Sequence, residues 1–250
     1  ASYGVAVEAG NDNWTVVGST FVANGYTGLY LQGADSVVEG NVFTGNANVG
    51  VSVANVRARV VGNLASANAG VGIEVSNSNS ALANRSLVED NTALNNGTGM
   101  GLSGSVLARG NRLWSNGGAG AAVSGATATF ENNDVWDNAR GIDLGGGLAI
   151  GNHVYGNHGY GIRVGGATAE GNRVYDNAGI GIDTDVDLYR FTVSAGQTVD
   201  FDIDTTLNGP GGLGSYLRLF NAQGQQLAFN NDAAAPGENF VGFDAYLRHT

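Results

Sequence analysis

The chain has 250 residues, a formal net charge of −11, 11 arginines without a single lysine, and no cysteine. Its length allows one or two domains, and its acidity speaks against nucleic-acid or anionic-membrane partners. The missing thiols exclude thiolate metal sites, cysteine nucleophiles and disulfide frameworks, and no apolar run approaches the ~20 residues of a membrane span.

In chain order, Gly4-Val5-Ala6-Val7 already reads as the end of a coil, so the sequence is expected to be part of a larger polypeptide. From Gly18 to Thr184 a frame close to Gly-Asn-x-x-x-x-Asn recurs eight times, followed by Gly-apolar-x-apolar. Its second asparagines are Asn24, Asn46, Asn68, Asn96, Asn116, Asn138, Asn157 and Asn177, at spacings of 19 to 28 residues. A period near 20 with slack signals stacked coils whose loops vary in length. Gly72-Ile73-Glu74-Val75, Gly141-Ile142-Asp143-Leu144 and Gly161-Ile162-Arg163-Val164 alternate apolar and polar, as strands with one buried face do. The 42 glycines speak against a helical repeat, because glycine costs roughly 1 kcal/mol in a helix interior. Glycine and asparagine suit the left-handed corners of sharp turns. The expected fold is all-β: a parallel β-helix of about eight coils, followed by a partial antiparallel β-sandwich. Stacking would align the eight asparagines in one hydrogen-bonded column and Asn41, Asn63, Asn91, Asn111, Asn133, Asn152 and Asn172 in a second.

Gly151-Asn152-His153-Val154-Tyr155-Gly156-Asn157 and Gly171-Asn172-Arg173-Val174-Tyr175-Asp176-Asn177, each followed by Gly-x-Gly-Ile, resemble right-handed parallel β-helix repeats of pectate-lyase-like proteins. The resemblance covers residues 1–184. That superfamily holds polysaccharide lyases, glycoside hydrolases, uronate epimerases and non-catalytic surface proteins, so it implies a fold without an activity.

The repeat stops after Thr184. In its place come Asp187–Val193, a turn, Thr198–Asp204, then Tyr216–Phe220, Gln226–Phe229 and the strand starting at Asp244. Short strands with glycine turns predict a sandwich over 185–250, whose first two strands form a hairpin. Asp185-Val-Asp187-Leu-Tyr189-Arg-Phe191, Leu217-Arg-Leu219-Phe-Asn-Ala-Gln-Gly224 and Asn230-Asn-Asp232 resemble the bacterial pre-peptidase C-terminal domain, a jelly-roll-like module of secreted proteins. Its closing strands are absent from this stretch.

Three sets of side chains are candidate sites. The middle residue of the Gly-apolar-x-apolar strand points outward, and in the last coils it is Asp143, Arg163 and Asp183. The two acids lie two rungs apart, about 9.6 Å, near the upper edge of the ~6.5–9.5 Å separation of inverting glycosidases. Arg163 between them suits a substrate carboxylate, although a self-neutralising charge ladder explains the same pattern. A second outward column ends in Trp114, Trp136, Tyr155 and Tyr175, flanked by Arg112, Asp134, His153 and Arg173. Aromatic faces with polar flanks suit sugar rings; stacking that stabilises the sheet is the alternative. Asp185, Asp187 and Asp232 offer hard oxygens suited to calcium, and no other cofactor is implied.

Together these features predict a secreted or cell-surface bacterial module, structural or polysaccharide-binding. The alternative is a carbohydrate-active enzyme (lyase, hydrolase or epimerase) with its site on the outward face of the last coils. Most connections are short, and the one long insertion, Asn77 to Leu87, carries only Arg85 as a charge. A cleft with clustered acids needs more, so the non-enzymatic expectation is preferred.

Overall fold

The computed structural model describes residues 2–54, 56–183, 192, 194, 196–203, 217–223, 225–230 and 245–250. The chain divides into two compact units, Ala1–Val186 and Asp187–Thr250.

The first unit is a parallel β-solenoid. Each coil contributes one short strand to each of three sheets. Among the described residues, sheet I has nine strands, from Val5–Val7 and Leu29–Leu31 to Ile162–Val164 and Ile182–Asp183. Sheet II has eight, from Thr15–Val17 to Thr168–Glu170, and sheet III eight, from Thr20–Val22 to Arg173–Tyr175. Every pairing in these sheets is parallel, between equivalent strands of successive coils.

Alternation decides which residues fill the core. In sheet I the pairs Leu29/Leu31, Ile73/Val75 and Ile142/Leu144 are buried, with the residue between them turned outward. The three-residue strands of sheets II and III supply one inward residue each, such as Val38, Val60 and Phe130, or Phe43, Leu113 and Val154. Large and small residues compensate: Phe130 stands in register between Ala108 and Ala149.

Both predicted asparagine columns are present, at the II–III and III–I corners. Each side-chain amide donates to the Oδ1 of the next coil's asparagine at 2.8–3.2 Å. The same Oδ1 also accepts the preceding asparagine's backbone N–H, as Asn133 does from Asn111 at 2.9 Å. The second amide proton reaches a strand carbonyl, as Asn111 reaches Val88 O at 2.9 Å. One side chain thus satisfies the corner backbone of two coils, which are buried and cannot turn to water.

The left-handed residue of each corner is the one immediately before the ladder asparagine. At the II–III corner it is mostly glycine, but at the III–I corner Ala23, Ala67, Ser115, Asp137 and Asp176 also adopt φ between 52° and 54°. Left-handed backbone costs an L-residue about 1–2 kcal/mol. Ala67→Gly is therefore expected to raise stability by about 1 kcal/mol, seen as a higher urea midpoint. The preceding coil, which already carries Gly45 at φ 64°, shows the corner accepts it.

The glycine that opens each sheet I strand has a different reason. A Cβ on Gly141 would stand 2.0 Å from Gly161 O, and one on Gly50 2.5 Å from Gly72 O. The coils approach too closely there for any side chain.

The long insertion forms one 3-10 turn, Leu82–Asn84. Asn77 ties it down by donating to Asn84 O at 2.7 Å and Ser105 O at 3.0 Å.

In the second unit the described residues form two antiparallel pairs. Leu217–Phe220 pairs with Gln226–Asn230 as predicted, with a bulge between Leu219 and Phe220. Val199–Ile203 pairs with Ala245–His249; of its predicted hairpin partner Asp187–Val193 only Thr192 is described, so that hairpin lies outside the described residues. Long-range pairing of this kind is invisible to a local turn signal. Arg248 grips Asp200 with two hydrogen bonds of 2.6 and 2.9 Å. That guanidinium, then the Tyr246 hydroxyl, holds the Asp200 carboxyl down at about 2.

Candidate functional site

The outward column of sheet I runs in register through Tyr30, Ser52, Glu74, Gly101, Ala122, Asp143 and Arg163. Asp183 follows as the backbone partner of Arg163. The predicted order is therefore present in the strand register.

The side chains draw a tighter picture than a plain charge ladder. Asp143 is 19% exposed, and three groups converge on it. Arg163 Nη2 lies 2.9 Å from its Oδ1, Arg140 Nε lies 3.5 Å from its Oδ2, and the Tyr160 hydroxyl donates to Oδ1. The Arg163 guanidinium also sits 5.2 Å from the Tyr160 ring centre. Beside this cluster is a shallow hollow of about 300 Å³, lined by Ala122, Ser124, Asp143, Gly145, Arg163 and Gly165.

The Arg163 and Arg140 side chains are 57% and 47% exposed, so both present donors to the hollow's surroundings. The cluster sets two guanidinium groups against the one Asp143 carboxylate, with Asp183 the next residue of the column after Arg163. Such a recess suits an incoming carboxylate, which arginine binds with two parallel hydrogen bonds.

Burial first, and the hydrogen bond to Asp143 second, push the Tyr160 phenol up to about 12. Between pH 10 and 12 the unfolded chain releases this proton and the folded one keeps it, so stability is lost as pH rises through that window. With Tyr160 partly open to solvent, screening leaves about 1 kcal/mol of this effect. Tyr160→Phe is expected to flatten the thermal midpoint between pH 10 and 12 relative to wild type.

Arg140 and Tyr160 were missed from sequence. Each stands immediately before a frame glycine, Gly141 or Gly161, one position ahead of the strand that was read. Reading that flanking column as well as the central one would have found them.

Sheet III brings the aromatic strip together in register: Trp114, Trp136, Tyr155 and Tyr175, beside Arg112, Asp134, His153 and Arg173. The rings stack along the column. Trp114 and Trp136 lie 4.8 Å apart at 11°, Trp136 and Tyr155 5.9 Å at 5°, Tyr155 and Tyr175 5.3 Å at 5°. His153 tilts against both tyrosines, and Arg173 lies 4.9 Å from the Tyr175 centre. The ring faces are thus occupied by one another, and edges remain for solvent. This is the arrangement of cross-strand stacking; a sugar ring needs a free face.

Among the described residues no group of three His, Asp or Glu is placed to hold a metal. The calcium candidates Asp185, Asp187 and Asp232 lie outside the described residues. No helix among the described residues is long and apolar enough to cross a membrane.

The family profile described as "Right handed beta helix region" matches residues 3–150. The chain belongs to the right-handed β-helix family. Among solved structures, this β-helix is similar to the periplasmic alginate epimerase AlgG, at 19% identity and a TM-score of 0.52 over 62% of this chain and 38% of that one. It is similar also to the A-module of the Azotobacter vinelandii mannuronan C-5 epimerase AlgE6, at 19% identity and a TM-score of 0.50 over 71% of this chain and 59% of that one. At such identity the likeness is one of fold, and the chain spans less than two thirds of either relative. No curated protein sequence matches it.

Proposed function

We propose that the chain is a secreted or cell-surface module that binds an acidic, uronate-type polysaccharide through the hollow on sheet I. The observation that carries this reading is the convergence of Arg140, Arg163 and Tyr160 on Asp143 beside that hollow. Arg163 and Arg140 take a sugar carboxylate, Asp143 keeps both guanidinium groups oriented, and Ala122 and Gly145 form a floor low enough for a ring. The fold likeness to two enzymes named for alginate and mannuronan is consistent with an acidic glycan. Trp114, Trp136, Tyr155 and Tyr175, with Arg112, His153 and Arg173, enter this reading as the stacked brace behind the binding face. Residues 185–250 are read as a pre-peptidase-type sandwich, supported by two antiparallel pairs; the calcium reading rests on sequence alone.

A second reading, an epimerase or lyase, is favoured by the Tyr160 hydroxyl donating to Asp143 with the Arg163 guanidinium over the Tyr160 ring. Against it, a phenol pushed up to about 12 stays protonated at neutral pH and is not a base poised near 7. The test uses polymannuronate and polygalacturonate. Binding without chemistry leaves both polymers unchanged by NMR and yields no unsaturated product, while Arg163→Gln weakens binding about tenfold or more. Turnover that Tyr160→Phe abolishes would establish the enzyme instead.

A further inference from the structure

The sheet I column that reaches Arg163 also passes through Tyr30, and Tyr30 is not alone. Tyr3 lies 5.5 Å from it, ring centre to ring centre, and 5.3 Å from Tyr26 in an edge-to-face arrangement. Tyr3 is 42% exposed and Tyr26 38% exposed. Unlike the sheet III rings, these three are not stacked in parallel, so their faces are not all taken up by one another.

Their place in the fold repeats that of the hollow. Tyr3 immediately precedes Gly4, which is equivalent to Gly28 through the bond from Gly4 N to Thr27 O, 3.0 Å. Arg140 and Tyr160 hold the same flanking position before Gly141 and Gly161. The aromatic cluster and the arginine hollow therefore occupy the same strip of sheet I, at opposite ends.

Between them the strip is low and polar. Gly101 and Ala122 bear no side chain beyond a methyl, and Glu74 accepts a hydrogen bond from Ser52 Oγ at 2.8 Å. Tyr30 to Arg163 is six rungs, about 29 Å at ~4.8 Å per rung. A pyranose unit in an extended polymer is roughly as long as one such rung of ~4.8 Å, so a glycan lying along the solenoid advances about one sugar per coil.

We infer that Tyr3, Tyr26 and Tyr30 form a second glycan contact, which takes uncharged ring faces of the same polyuronate chain whose carboxylate sits at Arg163. This inference rests on the polyuronate reading of the hollow and deepens it: the ligand is a polymer long enough to cover about seven coils, and short oligomers engage one end only. Glu74 lies between the ends, where it accepts sugar hydroxyls and disfavours a carboxylate. Two linked contacts raise apparent affinity by far more than either alone.

The test titrates wild type with oligomannuronates of three and of ten units, alongside Tyr3→Ala/Tyr30→Ala, Tyr30→Phe and Arg163→Gln. Wild type should bind the decamer at least ~10-fold more tightly than the trimer. The double alanine variant should lose that advantage while keeping trimer affinity, and Tyr30→Phe, which retains the ring, should keep it. Unchanged trimer binding also verifies that the double variant is folded. Equal wild-type affinity for the two lengths, or a decamer advantage that survives removal of both rings, overturns the second contact. A decamer advantage that survives loss of both rings while Arg163→Gln still abolishes trimer binding leaves the hollow standing and removes only this inference; no binding of either oligomer to wild type removes both.

Discussion

Asn111→Ala is expected to destabilise the solenoid by about 3–5 kcal/mol. The Asn111 side chain takes part in four hydrogen bonds: Oδ1 accepts from Asn91 N and Asn91 Nδ2, and Nδ2 donates to Val88 O and Asn133 Oδ1. All three asparagines are at most 1% exposed. Alanine removes all four bonds and leaves the backbone N–H of Asn91 buried without its acceptor. Net bonds at about 0.5–1 kcal/mol each, with about 1 kcal/mol more for the orphaned donor, give that range. Asn172→Ala, in the same column but only half-buried, should cost less, because water can replace what is lost. Urea unfolding followed by the fluorescence of Trp114 and Trp136 measures both; equal midpoint shifts would show that burial is not what makes the ladder costly to break.

Phe130→Ala should cost a similar amount, about 3–5 kcal/mol, for an unrelated reason. Phe130 is fully buried, and its neighbours above and below in sheet II are Ala108 and Ala149. Across the same coil sheet I presents Ala121. The ring fills space that these three alanines otherwise leave empty, and a solenoid held by backbone ladders on both sides cannot collapse into the gap. Phe130→Leu retains much of the volume and should cost about half as much. A full loss in the leucine variant would mean that ring shape, not filled volume, matters there.

Much of the fold was legible because the repeat repeats its own evidence. Eight asparagines in fixed register implied a column, and the hydrogen bonds are those that a column allows. The glycine before each sheet I strand was visible as a pattern, but its cause was not: only the 2.0 Å approach of Gly161 O to a side chain at Gly141 explains it. Sheet II escaped notice because Val37–Glu39 and its equivalents carry neither ladder asparagine nor opening glycine. The register of Asp143 with Arg163 followed from strand periodicity, whereas Tyr160 and Arg140 reach Asp143 from a flanking column that periodicity does not point to. The aromatic strip was located correctly in register, yet one-dimensional spacing cannot tell a ring face open to a ligand from one covered by the ring of the next coil. In the second unit, the pairing of Val199–Ile203 with Ala245–His249 joins segments more than forty residues apart. No local signal encodes such a pairing.

The central claim is recognition of a sugar carboxylate by the arginines around Asp143. It is tested most directly by titrating the chain with polymannuronate and with the same polymer after its carboxylates have been reduced to alcohols. Wild type is predicted to bind the acidic polymer at least ~10-fold more tightly, with that preference lost in Arg140→Gln/Arg163→Gln. Equal affinity for the two polymers, or a preference that persists without both arginines, would contradict it.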